Sequence, residues 1–350
     1  MNYHLVLSNP IELEEVDRNA QLGKCPRHVM WGLSKRLNAK VHVPSQEPIR
    51  NRDYARAKIL GQPQNWALAR RLSSQLSGDD VVFCSGEDVG IPVATICGAL
   101  PNPPKIAVFI HTGHRPRSKV ALKLFKASKR VSLFVTNCRP QVEFLYHYLR
   151  LSQERVFMMP EQTDTHFFSP GTAMFGKQRP IIASVGLEKR DYRTLAAATH
   201  DMNVEVCISA FSRDVKPLSK SLPAVMPANM SRRYYEWTEL VQLYRNAAIV
   251  VVPLFESRDT AGVTSLLESM ACRRPVVVTR IPGLSDYLET PGTLTTVAPE
   301  DVLGLRQAIV QLLGNPRAAE AQAQSGYELV TRHHNSEDYI ERLAARLELL

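Results

Sequence analysis

Short aliphatic and β-branched runs alternate with amphipathic stretches along the whole chain, and no other feature limits its fold as much. Strands that are apolar from end to end are buried on both faces, as in parallel sheets covered by helices. In the first half, strands are expected at Tyr3–Leu7, Lys40–Val43, Asp80–Cys84, Ile106–Ile110, Ser132–Thr136 and Arg155–Met158. Helical periodicity intervenes at Pro26–Leu37, Asn65–Leu76, Val120–Lys129 and Gln141–Leu149. The second half repeats the rhythm, with strands at Ile181–Val185, Val204–Ser209, Ala248–Pro253, Pro275–Thr279 and Thr293–Val297. Its helices are expected at Tyr192–Ala198, Glu236–Asn246, Val263–Cys272 and Asp301–Leu313. This alternation reads as an α/β protein with doubly wound parallel sheets.

At 350 residues the chain exceeds the size at which a single core stops growing, so two domains are expected. Glu161–Pro180 holds turn formers, including Ser169-Pro170-Gly171 and Gly176, and lacks periodicity, which marks it as the linker. The first domain is expected over residues 1–168, with a terminal helix at about 336–350 crossing back to it, and the second over 175–335. Ligands bind outside the carboxyl ends of strands in open sheets, so the expected active site is a cleft between the two domains.

Composition narrows the setting. The six cysteines are scattered without metal-ligand spacing, and Cys84 and Cys207 end apolar runs, where a thiol behaves as a small hydrophobe. The opening residues Met1–Leu7 read as a strand rather than a leader, and the longest apolar run, Ala247 to Phe255, is about half a membrane span. These features point to the reduced cytoplasm. The whole net charge of +9 falls in residues 1–170, so an anionic surface would be met by the first half. No stacking array of aromatics accompanies it, which argues against nucleic acid.

The most informative segment runs from Tyr244 to Leu288. A buried strand opens into the polar loop Glu256–Thr260, and Gly262, Val263 and Thr264 then start a helix. Such a turn presents free N–H groups and the positive end of the helix dipole, which suits a diphosphate. Glu268, about one turn further on, can accept hydrogen bonds from two ribose hydroxyls.

This segment resembles the donor-binding motif of glycosyltransferase family 4, retaining enzymes of the GT-B fold with two Rossmann-like domains facing a central cleft. Tyr244–Ala248, Val251–Leu254, Glu268–Ala271, Pro275–Val277 and Gly283 stand in register with the family pattern. Ile182–Tyr192 is similar to the strand and loop whose cations hold the donor phosphates, Asp164–Pro170 to the linker, and Leu22–His28, with Gly23, to the glycine turn opening the first helix. Phe109-Ile110-His111 is similar to the strand ending in the cleft histidine.

The resemblance implies that Glu268 binds the ribose of a UDP- or GDP-sugar, with Arg190 and then Lys189 on the diphosphate. It implies donor contacts from Gly23, Thr260 and the Gly262–Thr264 turn, and a reacting-centre contact from His111, with His114 as a neighbour. Glu87 stands after the strand Asp80–Cys84 as a candidate for the acceptor hydroxyl, whereas Asp88 reads equally well as a helix cap. No Asp-x-Asp is present, so no metal and no cofactor are expected, and cations and helix ends must steady the leaving diphosphate. The acceptor is expected to be a glycan or a lipid-linked hydroxyl.

Three positions depart from the family pattern. Thr260 stands at the first glutamate of its pair, with Glu256 and Asp259 nearby. Leu187 stands at an arginine, and Lys24 at a second glycine. They leave open a catalytically degenerate homologue acting as a binding protein, and a sugar-nucleotide epimerase on the same fold. Finally, Arg115–Arg130 carries seven cations among Val120, Leu122, Leu124 and Phe125. It reads either as a peripheral contact with an anionic membrane or as a solvated helix face.

Overall fold

A computed structural model describes residues 2–45, 47–174, 179–211 and 218–350, so Gly176 of the expected linker lies outside it. The chain divides into two compact units, Met1–Asp17 with His28–Pro160 and Tyr339–Leu350, and Arg18–Arg27 with Glu161–Asp338.

The first run of elements is β1 (Asn2–Val6), α1 (Leu13–Gln21), α2 (Val29–Arg36), β2 (Lys40–His42), α3 (Asn51–Ala57), α4 (Pro63–Leu72), β3 (Asp80–Cys84), α5 (Glu87–Ile96), β4 (Lys105–Phe109), α6 (Pro116–Leu124), α7 (Ala127–Arg130), β5 (Leu133–Thr136), α8 (Arg139–Leu149) and β6 (Val156–Met158). Its strands form one parallel sheet in the order β2-β1-β3-β4-β5-β6. Successive residues serve opposite faces, as a strand's period of two requires. Val82, Cys84, Ile106 and Val108 join a core with α4 and α5. Val81, Phe83, Ala107 and Phe109 join the other, with α2 and Tyr339, Leu343 and Leu347 from the far end of the chain. Each fully buried leucine there contributes about 1.5–3 kcal/mol.

The second run is β7 (Ile181–Val185), α9 (Tyr192–Thr199), β8 (Glu205–Ser209), β9 (Met230–Arg232), α10 (Trp237–Asn246), β10 (Ile249–Val252), α11 (Val263–Ala271), β11 (Val276–Thr279), β12 (Thr295–Val297), α12 (Val302–Gly314), α13 (Pro316–His333) and α14 (Ser336–Glu348). Its parallel sheet has the order β12-β11-β10-β7-β8-β9. Val250 and Val252 face α10 and α11, while Ile249 and Val251 face α9 and α12. Each sheet is thus wrapped on both sides, and the doubly wound architecture read from the sequence is the one observed.

Three local differences have physical causes. Strand β9 was not anticipated, because Met-Ser-Arg offers a single buried apolar residue. The helix expected over Val120–Lys129 breaks at Lys126, which takes a left-handed conformation, and the Arg130 guanidinium bonds the carbonyl of Phe125 left over at the break. Residues 161–168 pack with the second unit rather than the first. Phe168 enters its core, and Asp164 accepts from Nε and Nη2 of Arg27 at Oδ1 and from the Arg27 backbone N–H at Oδ2.

Candidate donor-binding site

In the second sheet the strand order reverses between β7 and β10, which lie side by side. At such a switch point the loops leaving adjacent strands part in opposite directions and open a crevice at the carboxyl edge. The loops that follow these two strands are Gly186–Arg190 and Leu254–Gly262, the two segments that sequence patterns had marked for the donor. They are laced together. Phe255 N–H donates to the Lys189 carbonyl at 2.9 Å, and Asp191 N–H donates to that of Pro253 at 3.0 Å. Gly283 N–H holds the Ser257 carbonyl at 3.1 Å from the β11 side.

Gly262 caps α11 with φ of +90°, and a Cβ there would stand 2.9 Å from Val252 Cγ1, so this turn requires glycine. Val263 N–H is engaged by the Thr260 carbonyl, whereas no backbone carbonyl among the described residues takes the N–H of Thr264 or Ser265. Those two donors, at the positive end of the α11 dipole, form an anion-seeking pair. Thr264 is exposed, and Thr260 is half-buried.

Arg190 lies elsewhere than its sequence neighbourhood implied. It is only 3% exposed. Nε bonds the Val185 carbonyl at 2.9 Å, Nη1 the Glu188 carbonyl at 3.0 Å, and Nη2 the Ser265 hydroxyl at 2.7 Å. Three of its five N–H donors are therefore spent on tying the β7 loop to the first turn of α11. The neighbouring Lys189 is half-buried, sits at φ of +55°, and forms no ion pair with any described residue. Arg190 thus fixes the frame of this loop, and Lys189 is the half-buried cation beside it. Ser265, which receives Arg190, carries no signal in the sequence that would have singled it out.

Glu268 stands on α11 at 5% exposure, and the Tyr244 hydroxyl donates to its Oε2 at 2.8 Å. Burial lifts the Glu268 carboxyl to about 7, against the opposing pull of the Tyr244 hydrogen bond and the Arg190 charge. A carboxylate poised there ionises across the neutral range.

Gly23 joins none of these groups. It lines a recess of about 350 Å³ with Arg27, Asp164, His166, Thr238 and Arg245, and neither α11 nor the Gly186–Arg190 loop contributes to that recess.

In the first unit the order reverses between β1 and β3, and residues after both strands meet there, with Ser8 Oγ donating to Asp88 at 2.6 Å. Asp88 also accepts from Val89 N–H, so it braces the start of α5 rather than facing a ligand alone. Glu87 is buried, and its carboxylate accepts from His111 N–H at 2.9 Å, Thr112 N–H at 2.9 Å and the Thr112 hydroxyl at 2.6 Å. These bonds make Glu87 the anchor of the His111 loop. The exposed His111 ring stacks on Phe109 with centroids 4.3 Å apart. Because a carbonyl only accepts, His111 Nε2 donates to Ser85 O at 3.1 Å, and Nδ1 is then the unprotonated nitrogen of the neutral ring. His114 pairs with Gln141 at 2.6 Å.

Comparison with known proteins supports this reading of the fold and motif. Residues 214–315 match the family model described as glycosyl transferases group 1. Over 98 residues the chain is 31% identical to glycogen synthase of Mycobacterium tuberculosis; the match spans 28% of this chain and 23% of that relative's length. Among solved structures, sucrose-phosphate synthase from Thermosynechococcus elongatus superposes with a TM-score of 0.71 at 15% identity, over 99% of this chain and 98% of that one. Anabaena HepE in complex with UDP-glucose gives 0.72 at 13% identity over 100% of both chains. The α,α-trehalose 6-phosphate synthase of Burkholderia multivorans gives 0.73 at 15%, over 99% and 98%.

The fold is GT-B, built from two Rossmann-like halves. The likeness to family 4 glycosyltransferases read from Tyr244–Leu288 is borne out, since that segment lies inside the matched glycosyltransferase group 1 sequence.

Proposed function

We propose that this protein is a retaining, metal-independent glycosyltransferase that moves a sugar from a nucleoside-diphosphate donor to a hydroxyl acceptor. The observation that carries the reading is the meeting of the Gly186–Arg190 loop with the α11 N-terminus at the β7/β10 switch point, beside a buried glutamate. In this reading the Thr264 and Ser265 N–H groups and the Lys189 ammonium take the diphosphate, and Glu268 takes the ribose diol. The anomeric C–O bond to the diphosphate breaks, the acceptor oxygen bonds the same carbon with configuration kept, and the acceptor's proton leaves on the departing diphosphate. His111 is assigned to the reacting sugar, with Glu87 holding its loop. A UDP-sugar is the first donor to test, because HepE is a structural neighbour solved with UDP-glucose.

Calorimetry with UDP and GDP, followed by transfer assays with the corresponding sugars, tests this directly. One nucleoside diphosphate should bind with micromolar affinity and its sugar should be consumed. Binding without turnover would instead establish the degenerate homologue, and no binding at all would end the reading.

A lipid-linked acceptor reached from an anionic surface is part of the same proposal, and one observation favours it. Val120 and Leu124 of α6 are each 56% exposed, beside the exposed Lys123, Lys126 and Lys129. Lys123, Lys126, Lys129 and Arg150 line a groove of about 380 Å³, and none of them is ion-paired among the described residues. No helix among the described residues is long and apolar enough to cross a membrane. Each cation near an anionic leaflet contributes about 1 kcal/mol. Vesicles with 30% anionic lipid are therefore expected to sediment the protein, and reversing Lys123, Lys126 and Lys129 to glutamate should abolish this. Equal sedimentation with neutral vesicles would refute an electrostatic contact.

A further inference from the structure

A tyrosine buried in a core carries a cost that phenylalanine does not, because its hydroxyl must find a partner. Tyr244 is fully buried on α10, edge-on to Phe168 at 6.1 Å, and its hydroxyl meets Glu268 Oε2 at 2.8 Å. A carboxylate can only accept, so the tyrosine is the donor. We propose that Tyr244 is a positioning residue for nucleotide recognition, holding one oxygen of Glu268 so that the other is presented to the two ribose hydroxyls. The proposal rests on the donor-site reading given above.

Two consequences follow from the geometry. A carboxyl group on a glutamate side chain rotates freely about its last bond unless something holds it, and a bound oxygen fixes both the plane and the outward-facing lone pairs. The same bond also favours the ionised form of a group that burial pushes toward neutrality. Besides Tyr244, the charged or titratable groups acting on Glu268 among the described residues are Arg190 from the β7 loop and Cys272, which caps the C-terminus of α11. Burial holds the Tyr244 phenol well above its usual range, so it stays a donor throughout the working pH. Removing the hydroxyl should therefore both loosen the carboxylate and move its ionisation upward.

Tyr244→Phe keeps the ring and its packing and deletes only the donor. The test is calorimetric titration with UDP, or GDP if that is the diphosphate bound, at pH 6, 7, 8 and 9, with the 2′,3′-dideoxy analogue as a second probe. Tyr244→Phe is expected to weaken the ribonucleotide about 5- to 30-fold at pH 7. The gap should narrow by pH 9, with the midpoint of the affinity–pH curve displaced upward, while dideoxynucleotide affinity stays as in the native protein.

A purely structural tyrosine would weaken both probes alike and leave the midpoint in place, and that result overturns the proposal. Glu268→Gln in the same titrations separates the two levels of the argument. If it weakens binding and Tyr244→Phe does not, the positioning role fails alone. If Glu268→Gln binds as the native protein does, the ribose contact itself is wrong.

Discussion

Glutamine in place of Glu268 should weaken nucleoside diphosphate binding by about 100-fold or more while making the folded protein harder to melt above neutral pH. The first half follows from charge. Hydrogen bonds to an ionised acceptor are worth about 1.5–3 kcal/mol each, and the neutral amide gives up that bonus for both ribose hydroxyls. The second half follows from the carboxyl's raised pKa. In the unfolded chain Glu268 releases its proton near the ordinary glutamate value, whereas in the folded chain it keeps it to about 7.

The stability that this proton confers is fully present below the unfolded value and is lost as pH rises through 7. Glutamine has nothing to lose, and its amide oxygen can still accept from Tyr244. At pH 8.5 it should therefore gain about 1–3 kcal/mol over the native protein, and at pH 4.5 nothing. Thermal melts across that range would show two curves that coincide near pH 4.5, part between there and pH 7, and keep a constant separation above it. One constant separation over the whole range would mean that the buried carboxyl is not the group that titrates.

The largest loss of stability is expected at Arg190. Exchange for methionine keeps much of the stem but leaves the carbonyls of Val185 and Glu188 and the hydroxyl of Ser265 without their donor. Stranded buried acceptors cost about 1–3 kcal/mol each, partly offset because the guanidinium no longer has to be desolvated, so a net loss of about 3–5 kcal/mol is expected. Denaturant titration measures it. Lysine should recover only a small part, since a single ammonium cannot span three acceptors set around a planar fork. A methionine variant as stable as the native chain would show that the β7 loop is held by its backbone bonds alone.

The strands were legible because parallel sheets buried on both faces leave uninterrupted aliphatic runs, such as 249–252 and 276–278, that little else produces. Gly262 and Glu268 were legible for a different reason. A left-handed cap and a carboxylate less than two turns later are local in sequence, and their meaning survives without knowledge of the partners. Arg190 could not be placed in the same way. A cation after a strand reads as a phosphate ligand, and only the backbone at Gly186, with φ of +104°, shows why it turns inward. A Cβ there would come within 2.4 Å of Arg190 Nη2, so the glycine is the space that the guanidinium fills. Tyr244 was visible as a member of a motif, but its task depends on a contact across 24 positions that no periodicity encodes. The break at Lys126 was hidden because no glycine, proline or asparagine marks it.

Leu343, Ala344 and Leu347 fill the same core as Leu33, Phe83 and Phe109, although the whole of Glu161–Asp338 separates them along the chain. Translation delivers residues in order, so the ribosome has made the later half before the earlier one receives its last wall. Until then an apolar trough beside β3 and β4 stays open to water and to other nascent chains, and Glu161–Asp338 is free to fold first. In this protein the half that begins first is the half that finishes last.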